Sequence, residues 1–518
     1  MLRQKHQEFA SPSTILLSLG LAAAVLAPTA CSDDDSTDGV LDASALNTDD
    51  AGSEPTEGSD DDDAEGSDND DAEGSDDDDD EPGNGGGGPA PASEDAGNDD
   101  DDSDDDDSCP TAAPLGAAEM NALNLIEQGR QSFRFETFGN EAFFSGALRL
   151  NEVVAAALDP TTALSLGFRV DVDALPEAVR TALANGDVDL ESVDTTLDLL
   201  RLNAIVGVTG EFNDDDELET IGLNCALCHS EVDNSFAPGI GSRIDGTPNR
   251  DFNAGAVLAL APDLSAFVNL LEVANPGIDE DTVRAVLNSW GPGRFDGHLV
   301  FDGTAFDPEG NTGALLNPPL SGRAGVNTAT YAGWGSIAYW LALVPNIELN
   351  GQGTFLDARL NNADEFPVAA AANLGQVRNT PDLITPAIPG MHMYILSLPA
   401  PIPAEGSFDE EAAARGEELF NGEAQCSTCH VPPLYTEPGW NVHPAEDIGI
   451  DGFTASRGPD NVYRTTPLGG LFARQTGGFY HDGRFEDLEE VVDHYNGFLA
   501  LNLTSRQTDD LVQFLLSL

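Results

Sequence analysis

Cys426-Ser427-Thr428-Cys429-His430 is the stretch around which the chain is read. Two cysteines three positions apart lie on one side of a single turn. Their thiols can add across the two vinyl groups of one haem. The histidine that follows then sits under the porphyrin and offers a ring nitrogen to the iron. This is the covalent c-type haem attachment signature. A second match stands at Cys225-Ala226-Leu227-Cys228-His229, which argues against coincidence. The rival reading is structural zinc, held by the four cysteines of two CxxC knuckles. It leaves unexplained why a histidine follows each knuckle directly. The pattern predicts two covalently bound haem c groups, on Cys225 and Cys228 and on Cys426 and Cys429, with His229 and His430 as axial ligands.

Outward from the second motif the chain is legible. Ser407-Phe408-Asp409-Glu410 reads as a capping box that opens a helix running to Gly422, a natural stop. Gly416 in its middle costs helix stability, so another helix is expected to cross close to it. The partner is the final helix, which opens on Thr504-Ser505-Arg506-Gln507 and presents Leu511, Leu515 and Leu518 on one face. Two helices clasped beside a CxxCH turn are the layout of a small cytochrome c domain.

The first motif lies in a longer, loop-rich region. Helical periodicity begins at Ala117 and runs into the string SFRFETFGNEAFF. Its Phe133, Phe135, Phe138, Phe143 and Phe144 read as core. Helices are also expected around 175–185 and 188–202. An acidic loop at 214–217 precedes the motif. A Gly- and Pro-rich wrap follows it and carries Arg243 and Arg250. Haem has two propionates and arginine bonds carboxylates bidentately, so both are candidate haem contacts, against the plain alternative of a loop ion pair. Trp290, Trp334 and Trp340 are three of only four tryptophans and are candidates for carrying electrons between haems, although most tryptophans simply pack. PAPIPAEG at 399–406 is a proline-rich joint. The expected fold class is mainly α, with two cytochrome c-like haem domains with long loops, at 109–400 and 401–518.

Both are preceded by segments of another kind. The 518 residues carry 21 basic and 93 acidic groups, a formal charge of −72. Residues 31–108 hold 34 of the carboxylates and no basic group. Such a stretch cannot bury enough apolar surface to fold and is extended by its own repulsion, so it is read as a disordered acidic tether. Weak Ca2+ binding by its Asp runs is a secondary expectation. Residues 1–30 have a basic start and an apolar run too short to span a bilayer comfortably, ending in small residues before Cys31. That resembles a lipoprotein signal with Cys31 as the lipidated residue, although Pro28 stands where leucine is usual. Thioether haem also implies assembly outside the bacterial inner membrane. The expected location is periplasmic or cell-surface, anchored at the outer membrane by lipid only. The acidic body excludes nucleic acid and suits a cationic partner.

GEELFNGEAQCSTCH, RTTPLGGL and GGFYHDGRFEDLEEVVDHYN together resemble the C-terminal domain of the bacterial di-haem cytochrome c peroxidase and MauG-type superfamily, over roughly 405–518. The first motif sits in a domain larger than that of the short peroxidases. The resemblance implies an electron-transfer haem in the second domain and a reactive haem in the first. Many of these peroxidases close the second haem with a methionine near the end of the LEEVV segment. Here Tyr495 stands at that point, as in MauG, and a phenolate favours higher iron oxidation states than a thioether does. His494 and His443 are its rivals. On the first haem the candidates for the distal side are His392, Met391, Met393 and His298. A peroxidase-like enzyme would take hydrogen peroxide or dioxygen and receive electrons from a small redox protein, a cytochrome c or cupredoxin. The alternatives are a pure electron carrier and a di-haem oxygenase acting on an organic polymer.

Overall fold

Two helix crossings organise the chain, one beside each CxxCH turn. In the computed structural model, which describes residues 115–518, the helix Ala117–Phe135 packs on Ile388–Ser397, and Glu410–Asn421 packs on Ser505–Ser517. Each crossing is closed by glycine. A Cβ on Gly129 would stand 2.0 Å from the Gly390 carbonyl oxygen, and one on Gly416 would stand 2.1 Å from the Asp510 carbonyl oxygen. No side chain fits at that separation, so the backbones touch. Arg415 clips the second crossing through Asp510 at 2.6 Å.

Helices dominate the described residues, and the sheet content is five two-stranded pairs. The longest pair is the antiparallel hairpin Val208–Phe212 with Leu218–Leu223. The acidic stretch 214–217 lies in its turn, where Asn213 Oδ1 accepts the backbone N–H groups of Asp215 and Glu217. The hairpin feeds directly into Asn224 and the first motif. Gly207, at φ +82°, lets that strand lie against the Leu227 backbone, where a Cβ would be 2.2 Å away.

The largest apolar cluster surrounds the first motif and includes Phe144, Leu200, Leu227, Phe252 and Trp290, with Cys228 packed against it. A second cluster draws only on residues 419–518, including Phe420, Leu511, Phe514 and Leu515, with Cys426 against it. Burying each such large side chain contributes roughly 1.5–3 kcal/mol. Residues 115–518 form one compact unit. No helix among the described residues is long and apolar enough to cross a membrane. The signal segment, the acidic tether with its Ca2+ expectation, Cys31 and Cys109 lie outside the described residues.

Local details depart from expectation. The helix near 410 is capped by Asp409, whose carboxylate accepts from Ala412 N at 3.0 Å, while Ser407 Oγ bonds the Ala404 carbonyl instead. Two overlapping cap signals competed, and the residue directly before the helix took the position. The helix expected over 188–202 is Val193–Arg201 and that over 175–185 is Glu177–Asn185. Phe133, Phe138 and Phe144 are buried as expected, but Phe135, the last residue of its helix, is 37% exposed.

Candidate functional site

The first CxxCH turn opens onto a cavity of about 580 Å³, within the range of about 300–1,000 Å³ that holds small molecules and cofactors. Cys225, Cys228 and His229 all line it, and its walls are largely apolar side chains such as Leu200, Leu227, Phe252 and Trp290. Burial pushes the thiols up, Cys225 to about 11 and Cys228 to about 12, so both are neutral thiols at neutral pH. His229 is depressed to about 4 by burial and is therefore a neutral imidazole. Its Nδ1 lies near the Pro318 carbonyl without completing a hydrogen bond of good geometry. A paired thiol, a neutral buried imidazole and an apolar chamber fit covalent haem c.

Other polar groups converge on the same chamber. His298, 5% exposed, is held at about 3 by burial and by the nearby Arg457 charge, and so remains neutral. Glu348 sits at the end of the turn Val344–Glu348 and lines the cavity. Burial, then the neighbouring Asp296 charge, pushes its carboxyl up to about 8. Gly297 makes room for it, since a Cβ there would lie 2.4 Å from Glu348 Oε1. Asp296 is itself raised to about 6 by burial, against the pull of Arg457. Arg457 comes from the C-terminal half of the chain. It spans Asp296 at 3.0 Å and Asp302 at 2.8 Å and donates further to the Thr304 and Gly313 carbonyls. All of its charge is matched, which is what a buried guanidinium requires.

The second CxxCH turn is built differently. His430 Nδ1 donates to the Tyr435 carbonyl at 3.0 Å, the tautomer in which Nε2 carries the lone pair. Tyr495, on the helix Leu488–Phe498, places its hydroxyl close enough to feel Cys429 and Cys426. Burial raises it, against the influence of the nearby Tyr480 hydroxyl, which completes no hydrogen bond of good geometry. Its rivals are engaged elsewhere. His494 Nε2 bonds the Ile448 carbonyl at 2.9 Å and its ring stacks on Phe498, while His443 Nε2 pairs with Glu437 at 2.6 Å. Glu437 also accepts from Thr465 Oγ1 at 2.5 Å. Cys429, Glu437 and His443 bring ligand atoms within 4.8 Å of one another. The four motif cysteines are free and do not gather into one cluster among the described residues, which is the arrangement that structural zinc would need.

The remaining sequence candidates fall in several places. Arg243 pairs with Asp171 at 3.0 Å and does not line the cavity. Arg250 is 7% exposed and its Nε and Nη1 have no partner. Trp290 and Trp340 line the cavity, whereas Trp334 stacks on Phe366 in a separate cluster. His392, Met391 and Met393 lie on the helix Ile388–Ser397 and do not line the cavity; His298 does. Sequence reasoning named neither Glu348 nor Asp296. The available signals were a lone carboxylate in the apolar run YWLALVPNIELN and the Asp-Gly-His of RFDGH.

No family model matches the chain. Its sequence is similar to the methylamine utilization protein MauG of Methylorubrum extorquens, with 32% identity over 126 residues, covering 22% of this chain and 34% of that protein. The chain thus spans about a third of the length of the curated relative it matches. Among solved structures it is similar to a MauG-like protein associated with microbial copper homeostasis, at 19% identity and TM-score 0.28, covering 49% of this chain and 88% of that one. It is also similar to a variant of the di-haem peroxidase BthA of Burkholderia thailandensis, at 16% identity and TM-score 0.24, covering 48% and 80%. Superpositions this loose carry no conclusion. The sequence match relates this chain to the MauG and di-haem peroxidase-type superfamily.

Proposed function

We propose that this chain is a di-haem c-type cytochrome oxidoreductase of peroxidase type, with haem c on Cys225, Cys228 and His229 and on Cys426, Cys429 and His430. The observation that carries the reading is the cavity at the first motif, where a carboxyl that holds its proton near neutrality faces the attachment cysteines. Haem held by Cys225, Cys228 and His229 would supply the redox chemistry of peroxide reduction. Glu348 supplies the proton movements. Its carboxylate oxygens would take a proton from peroxide and give it back as the O–O bond breaks, the two electrons for that cleavage coming from the donor by way of the haems. Asp296, fixed by Arg457, sets the charge that Glu348 feels. The apolar walls exclude bulk water and strengthen these interactions. At the second motif His430 and Tyr495 would hold the haem, which would suit electron transfer and not substrate binding. Electrons enter there from a small cytochrome c or cupredoxin and pass to the first site. The domains at 109–400 and 401–518 divide these tasks, and Cys31 anchors the exported protein by lipid.

Optical and EPR spectra of the ferric protein, before and after peroxide, test the reading. A high-spin signal consumed by peroxide is expected. Two low-spin signals untouched by peroxide would instead identify a pure electron carrier. The apolar walls also favour a second reading, oxygen-dependent attack on an organic polymer. Oxygen uptake on adding polyisoprene, without peroxide, would select it.

A further inference from the structure

A buried guanidinium is ordinarily matched by carboxylates, and two of the six buried arginines among the described residues are. Arg457 has Asp296 and Asp302, and Arg169 has Glu231 and Asp251. Four others break the pattern. Arg250, Arg323, Arg464 and Arg474 are between 1% and 7% exposed, and among the described residues none pairs with a carboxylate. Their protein partners are carbonyls. Arg323 Nε donates to Pro319 at 2.9 Å, Arg464 to Thr330 and Thr465, and Arg474 to Gly470, Pro467 and Gly469. Arg323 Nη1 and two nitrogens of Arg250 donate to nothing. The four also repel one another. Arg464 bears on Arg323, Arg474 on Arg464, and Arg250 and Arg323 on Arg474. Burying unpaired charges together costs several kcal/mol for each ion, so a stable fold needs counter-anions here.

The location indicates which anions. Arg323 and Tyr331 line the first cavity. Arg464 N donates to the Tyr331 carbonyl at 3.0 Å, and Tyr331 stands among the guanidinium groups of Arg323, Arg464 and Arg474. Arg464 begins the segment Arg464-Thr465-Thr466, which runs beside His430 and Glu437 of the second site. Arg474 ends the turn Leu471–Arg474, whose Leu471 belongs to the C-terminal core. The cations therefore form a junction that touches both haem sites.

We propose that Arg250, Arg323, Arg464 and Arg474 form one anion chamber that takes the propionate carboxylates of both haems. Two haems bring four propionates, which match four guanidiniums in charge and in bidentate geometry. The inference rests on the two-haem reading and adds that the groups share a single electrostatic seat. Since thioethers hold the haems independently, a lost propionate contact leaves the haem in place and its effect readable.

The test uses the full holoprotein with haem 13C-labelled at the propionate carboxyls, followed by infrared difference spectroscopy and redox titration. Mass spectrometry first establishes porphyrin on both cysteine peptides; its absence from either sinks the two-haem reading and the chamber together. In the parent, label-sensitive bands of ionised carboxylate are expected at neutral pH. A labelled carboxylic-acid band there overturns the proposal without need of any variant. Arg323→Gln and Arg474→Gln are each expected to shift the carboxylate bands and lower the midpoint potentials of both haems, while the exposed Arg130→Gln moves neither. A shift confined to one haem, or no shift, overturns the shared chamber. Parent potentials that change when phosphate replaces chloride would place a solution anion in the chamber, which also overturns it.

Discussion

The two CxxCH turns share a motif and a glycine-closed helix crossing, yet their surroundings are opposites. The first faces a cavity ringed by His298, Asp296 and Glu348, with a carboxyl that stays protonated to about pH 8. The second is half-exposed at Cys426, Cys429 and His430, with Tyr495 near its cysteines and both His494 and His443 engaged by other partners. The contrast teaches that the attachment motif fixes only where a haem is held. What it can do is set by groups from distant parts of the chain. One surrounding supplies a movable proton on Glu348, and the other supplies a phenol, Tyr495.

The sharpest way to break this contrast is Glu348→Gln. Peroxide consumption should fall by about 10²–10⁴-fold, the range for a lost acid–base group, with spectra of the second haem unchanged. In the parent the rate should rise with pH through about 8 as the carboxyl ionises, and the variant should lack that limb. Stability gives an independent reading. The folded chain keeps this proton up to about 8, whereas an unperturbed carboxyl releases it near 4.5, so the group removes stability as pH rises between them. Denaturant midpoints of parent and Glu348→Gln should therefore diverge over that window, the parent falling. Next in size is Arg457→Met, which leaves Asp296 and Asp302 buried without a partner and should cost about 3–5 kcal/mol in urea unfolding. Gly129→Val and Gly416→Val come third. Each should cost at least about 1–3 kcal/mol through overpacking, and each should perturb the optical spectrum of the haem on its own side only. Crossed or shared perturbation would show that the two crossings are not separate devices. Tyr495→Phe should alter one haem spectrum with little change in stability; an unaltered spectrum removes the tyrosine from the iron. The smallest effect separates two caps. Asp409→Ala should cost about 1 kcal/mol, and Ser407→Ala clearly less.

Features that depend on neighbours in sequence are readable from the sequence itself. Both CxxCH turns are local. The Thr504 box was legible for the same reason, and its reciprocal bonds with Gln507 are present. Gly416 could be interpreted because a mid-helix glycine has few other uses, and the crossing at Asp510 is where it pointed. The first site was not legible in this way. Its contributors stand at 225–229, 296–298, 323 and 348, joined by loops whose paths no periodicity encodes. Glu348 differs from an ordinary surface carboxylate only in what folds over it. Arg243 and Arg250 looked alike in the sequence, in the same Gly- and Pro-rich wrap. Only the fold separates them, by giving Asp171 to the first and no carboxylate to the second.

Arg457 belongs to the segment that follows the proline-rich joint, yet it completes the acidic group beside Glu348. The halves are thus not interchangeable cassettes. An excised 115–400 fragment would inherit two orphaned aspartates, and a transplanted C-terminal piece would carry a guanidinium with nothing to clasp. Recombination between distant homologues at the joint should be tolerated only when the arginine and its two carboxylates travel as a set.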